Sequence, residues 1–122
     1  MSDSLVIDSD RTLDGATNGA VSVLDGAVLT IAGEHRGAVD IQSLATVIVT
    51  GDLLGPVDVR VAGTLIVEPS GRVVGTVTNF GSFVNRGLRA GRVEERDPDD
   101  QEGAVVVPPT FSGSERYDLP AR

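Results

Sequence analysis

The chain has 122 residues, a formal charge of −8, no cysteine, and ten basic residues that are all arginine. This length supports one domain. The missing thiols exclude a disulfide framework, a thiolate metal site and a cysteine nucleophile, and the acidic balance argues against a nucleic-acid backbone or an anionic membrane as partner. Three Phe and one Tyr are the only aromatic residues, so aliphatic side chains must build the core, which suits a narrow, regular interior.

The segment Met1 to Asp10 has acids where a signal peptide needs basic residues and an apolar stretch, and no apolar run approaches the length of about 18 residues that a bilayer span requires. It reads as soluble and unprocessed, with a cytoplasmic setting expected. Leu5 to Asn18 then opens an imperfect, Asp-rich first unit.

From there a Gly-x-x-x-Gly pair recurs at Gly15/Gly19, Gly33/Gly37, Gly51/Gly55, Gly71/Gly75 and Gly87/Gly91, in units of 18, 18, 20 and 16 residues. After each of the first three pairs come two alternating runs. The first is Val21-x-Val23, Val39-x-Ile41 or Val57-x-Val59, and the second is Leu29-x-Ile31, Val47-x-Val49 or Leu65-x-Val67. Alternation with period 2 places these aliphatic residues on one strand face. Runs such as Ala45 to Thr50 are rich in β-branched residues and lack a helical period. A stack of ordinary hairpins is conceivable, but equal units of 18 are more economically the coils of a short single-domain parallel β-helix.

In that all-β reading each unit has two strands, the glycines occupy corners, and residues 18 apart stack. The expected columns are Leu5/Val23/Ile41/Val59, Val21/Val39/Val57, Leu29/Val47/Leu65 and Leu13/Ile31/Val49/Val67. Aliphatic residues also recur near every sixth position, a feature of left-handed coils, but the residues after them are Leu24, Thr30, Gln42, Ile48 and Arg60, not the small or acidic ones that repeat favours. A right-handed coil is therefore the favoured hand.

After Gly75 the pattern degrades. Val77 keeps an inward position, but Asn79 replaces the next aliphatic, and Phe80 and Phe83 are large enough to cover the open end of a core. This marks a terminal coil, giving four to five coils over residues 1–91. Leu5, Leu13, Val77, Phe80 and Phe83 are the candidate self-assembly residues of the two end coils.

The stretch ATVIVTGDLLGPVDVRVAGTLIVEPSGRVVGTVTNFGSFVNRG, from Ala45 to Gly87, resembles the bactofilins, bacterial polymer-forming cytoskeletal proteins. The likeness lies in its Val-x-Val-x-Gly-Asp and Gly-Thr-Leu-Ile-Val-Glu steps and extends over about Val21 to Gly87. It implies a right-handed β-helix that assembles end to end into nonpolar, nucleotide-free filaments through its terminal coils. Bactofilin cores usually have more coils, and the membrane-targeting tail such proteins often carry has no apolar counterpart in Met1 to Asp10.

Residues 92–122 change character. An acidic, Pro-containing stretch, VEERDPDDQEG, leads to Val105-Val106-Val107-Pro108-Pro109 and then TFSGSERYDLPAR. Such a segment buries little by itself and is expected to be an extended or disordered tail. Val105, Val106, Val107, Phe111, Tyr117 and Leu119 are its candidate partner-binding residues, acting as a linear motif or as a strand added to an exposed edge.

Little here points to catalysis, and no enzymatic activity, cofactor or metal is expected. The single histidine, His35, lies in Gly33-Glu34-His35-Arg36-Gly37, a corner where exposure to solvent is expected. Asp97-x-Asp99-Asp100-x-Glu102-Gly103 lacks the regular ligand spacing of a calcium loop and is better read as a solvated linker. Without lysine no phosphate-binding loop of the Walker type exists. Two functions remain: a self-assembling scaffold whose end coils stack, or a monomeric or dimeric module that binds another protein through its acidic surface or tail, of the antitoxin, immunity or nucleic-acid-mimic type.

Overall fold

The computed structural model describes residues 5–107 and shows an all-β solenoid of parallel stacked coils. The first coil contains β1 (Leu5–Ile7), β2 (Arg11–Leu13) and β3 (Thr17–Asn18). The second contains β4 (Val21–Val23), β5 (Val28–Ile31) and β6 (Glu34–Arg36), and the third β7 (Val39–Ile41), β8 (Thr46–Val49) and β9 (Asp52–Leu54). The fourth has β10 (Val57–Val59), β11 (Thr64–Val67) and β12 (Arg72–Val74). β13 (Val77–Asn79), β14 (Ser82–Asn85) and β15 (Leu88–Ala90) make the fifth, and β16 (Val93–Glu95), β17 (Asp99–Asp100) and β18 (Val105–Val107) the sixth. Every third strand joins the same sheet, so the solenoid has three six-stranded parallel faces: A from β1 to β16, B from β2 to β17 and C from β3 to β18.

The alternating runs form faces A and B as the sequence predicts. Val21, Val39 and Val57 are in register on face A, and Leu29, Val47 and Leu65 on face B, all essentially inaccessible to solvent. One column differs from expectation: Leu5 pairs with Val21 and Ile7 with Val23, because the first turn from face A to face B is two residues shorter than the second. The expected two strands per unit become three. Face C is the segment between the paired glycines, where only the middle residue points inward: His35, Leu53 and Val73 in successive coils.

The Gly-x-x-x-Gly motif thus brackets a strand. Its second glycines, Gly37, Gly55, Gly75 and Gly91, share a positive φ, and a Cβ on Gly55 would run into the Gly37 backbone of the coil before. The unequal units arise at two corners. Glu68 to Gly71 links β11 to β12 with two more residues than Thr50-Gly51 uses in the coil before, and Phe80-Gly81 links β13 to β14 with two fewer than Arg60 to Gly63.

The ladders run on past Gly91. β16, β17 and β18 pair with β13, β14 and β15, so the solenoid has six coils, not four to five, and residues 92–107, expected in the tail, form the sixth. Val105 to Val107 form β18, the edge strand of face C, paired with β15.

Candidate functional site

The terminal coils are the first candidate site. Among the described strands, β1, β2 and β3 at one end and β16, β17 and β18 at the other each have a neighbour on one side only. Such edges present a row of backbone donors and acceptors to any further strand. Of the predicted assembly residues, Leu5 and Leu13 lie in the first coil, the former partly buried against the core and the latter buried. Val77 and Phe83 are buried one coil inside the other end, on strands that are paired on both sides, because the sixth coil extends beyond them. Phe80 stands on a corner, 46% exposed. The C-terminal edge is instead β18, where Val105 and Val106 are exposed and Val107 is buried. Phe111, Tyr117 and Leu119 lie outside the described residues.

Toward the C-terminal end the interior turns polar. Asn79 and Asn85 stack in register beneath Val59 and Val67 and are fully buried. Each closes a two-residue corner: Asn79 Oδ1 accepts from the Gly81 N–H at 3.1 Å, and Asn85 Oδ1 accepts from the Gly87 N–H, also at 3.1 Å. Their amide groups donate into the sixth coil, Asn79 to the Arg96 carbonyl at 3.3 Å and Asn85 to Asp100 at 3.0 Å. Arg89, in register with inward-facing Val73, binds Asp100 through both Nε and Nη2 at 2.9 Å. The Arg89 bond is the main cause, reinforced by Asn85, that holds the Asp100 carboxyl below the usual carboxylate range, although desolvation works against it. A part-exposed ionic plug therefore ties the fifth coil to the last, below the apolar core.

His35 is not exposed at a corner. It occupies the inward position of β6, 1% accessible, with Thr17 Oγ1 2.7 Å from its Nδ1 and no hydrogen-bond partner for Nε2. Burial pushes its pKa below the ordinary 6.5, while the backbone of Gly19 pulls the other way. Closed off from solvent, the imidazole has no route to a substrate in this conformation.

The outer faces differ sharply. Face A presents Asp40, Asp58 and Glu94 along one outward column, and face C presents Glu34, Arg36, Asp52 and Arg72. From the second coil to the fifth, face B carries no charge on its outward side: Thr30, Ile48, Ile66 and Val84 form one column, and Val28, Thr46, Thr64 and Ser82 the other. Thr12 continues the first column into the first coil, where Asp10 and Arg11 are exposed. The corner between faces A and B adds Leu24, Leu44, Val61 and Phe80, exposed by 37%, 65%, 67% and 46%. Asp58, Arg60, Val61 and Phe80 surround an open hollow of about 470 Å³ where that corner shortens. Leu44 adopts φ 66° where the equivalent corner of the second coil has Gly26 at φ 81°, a conformation that costs a side chain about 1 kcal/mol. The sequence reading missed this surface because its parts are spread over four repeats and align only when the coils stack.

Among the described residues no helix is long and apolar enough to cross a membrane. No family model matches the chain, and neither a curated protein nor a solved structure matches it.

Proposed function

We propose that the protein is a non-enzymatic structural scaffold of the cytoplasm, a bactofilin-like solenoid that self-associates end to end through its terminal coils. The observation that carries this reading is the set of edge strands: all three sheets stop at both ends with one side unpaired among the described residues, in a fold whose strands are all parallel. A second copy meeting such an end can extend all three ladders together.

The charges at the ends set the conditions. Residues 92–107 hold six acids against two arginines, and residues 5–20 three acids against one arginine. Like charges then oppose stacking until salt shortens the screening length, from about 10 Å at 0.1 M to about 3 Å at 1 M. Light scattering and negative-stain electron microscopy across that range should show small species at low salt and elongated assemblies at high salt. A single discrete small oligomer at every ionic strength would overturn end-to-end assembly.

A second reading, a module that binds another protein, draws on exposed Val105 and Val106 at the edge of face C and on the acidity of the last coil. A partner strand seated on β18 would use those valines for apolar contact.

A further inference from the structure

We infer that the outer side of face B, with the corner that borders it, is an interface for a second copy of this chain, packed face to face and independent of any contact between ends. A chain of charge −8 resists association wherever its own charges meet. Face B is where that resistance is least, since its outward columns are uncharged from the second coil to the fifth, whereas faces A and C carry charges. Two flat, pleated surfaces of β-branched residues are self-complementary, and sheets stack face to face at about 10 Å.

The corner supplies relief to the contact. A two-fold axis along the strand direction through the fourth coil sets the third coil of one copy against the fifth of the other. Leu44 of each then meets Phe80, Val61 and the hollow beside them on its partner. Leu44 is both strained and exposed in the isolated chain, and such a contact buries it. Neither charge sign dominates the hollow's rim, which holds Asp58 and Arg60, the latter bound to Asp40 at 3.0 and 3.1 Å. A two-fold contact can bring Asp58 of one copy toward Arg60 of the other.

Size limits the affinity. About this axis the second to sixth coils overlap, and Asp99 of β17 comes opposite uncharged Thr30 of the partner. Five strands at about 4.8 Å, widened by the corner, give a footprint on the order of 400 Å², about half of the roughly 800 Å² that a standard complex buries per partner. The dimer is therefore weak and reversible, with a dissociation constant in the micromolar range or above, and it gains through multivalency if several copies line up.

Sedimentation equilibrium on the full chain, from micromolar to millimolar concentration at low salt, tests this inference. The wild type should dimerise. Ile48→Lys/Ile66→Lys, which places two cations at the centre of face B, should weaken the dimer at least about tenfold, while Thr78→Lys on face A leaves it within about twofold. Far-UV circular dichroism establishes that each variant is folded, and Thr64→Cys in this cysteine-free chain gives a second readout, since a short bismaleimide should join two copies there and fail at Thr78→Cys. A wild type that stays monomeric, or a double variant that dimerises like the wild type, would overturn the inference and leave face B to a different protein. Loss of end-to-end filaments alone, with the dimer intact, would refute only the stacking of the ends.

Discussion

At His35 a single nitrogen carries a measurable consequence. The unfolded chain takes up a proton there near pH 6.5, whereas the folded chain, with the imidazole buried and its pKa lowered, does so only at lower pH. The unfolded state therefore binds more protons as pH falls below 6.5, and stability falls with it until the folded pKa is passed. His35→Leu places an aliphatic side chain in register with Leu53 and removes the orphaned nitrogen at the loss of the Thr17 contact. We expect the variant to be more stable by about 1 kcal/mol at pH 5.5, with a smaller gain at pH 7.5. Urea unfolding at the two pH values measures this, and equal pH dependence in both proteins would contradict it. The burial of His35 was legible in principle, because it lies 18 residues after Thr17 and 18 before Leu53. Its charged neighbours Glu34 and Arg36 obscured it, since they mark the outward positions of a strand and resemble the composition of a loop.

Short strands hide their period, and this decides which elements the sequence revealed. Faces A and B place two inward residues per strand, so Val-x-Val and Leu-x-Ile betray them. A face C strand places one, so Glu-His-Arg, Asp-Leu-Leu and Arg-Val-Val show no alternation, and only the glycines on either side repeat visibly. The sixth coil was hidden by chemistry: its positions in register with Asn79, Asn85 and Arg89 are Glu95, Asp100 and Val106, so two of the three are acids. The glycine columns carry their own prediction. A Cβ on Gly33 would collide with the backbone of Gly15 in the preceding coil, whereas a Cβ on Gly15 meets nothing within 4 Å. Gly33→Ala should cost about 3 kcal/mol through displaced coils, and Gly15→Ala should remain within about 0.5 kcal/mol of the wild type. Thermal denaturation of the two variants separates a stacking requirement from a general need for flexible corners, which predicts similar losses at both sites.

Each coil contacts only its neighbours, so the molecule is close to a one-dimensional stack whose stability sums over coils and the interfaces between them. The end coils have one interface each and open first. At the C-terminal end the sixth coil also supplies acceptors for polar groups in the fifth: the Arg96 carbonyl for buried Asn79, and Asp100 for buried Asn85 and half-buried Arg89. A chain ended after Gly91 therefore loses more than three strands. It leaves two buried amides and an inward-pointing arginine without their partners, and buried polar groups in that state are costly. Such a chain should lose about 3 kcal/mol or more relative to one ended after Val107, the reference that retains the sixth coil. Hydrogen exchange should show protection falling first in β13, β14 and β15, while the third coil, two interfaces away, keeps its protection. If residues 92–107 were only a tail, the two truncated chains would unfold together and exchange alike. The comparison therefore reports whether the ionic plug closes the solenoid core or merely decorates its end, and with it which surface a stacking partner would meet.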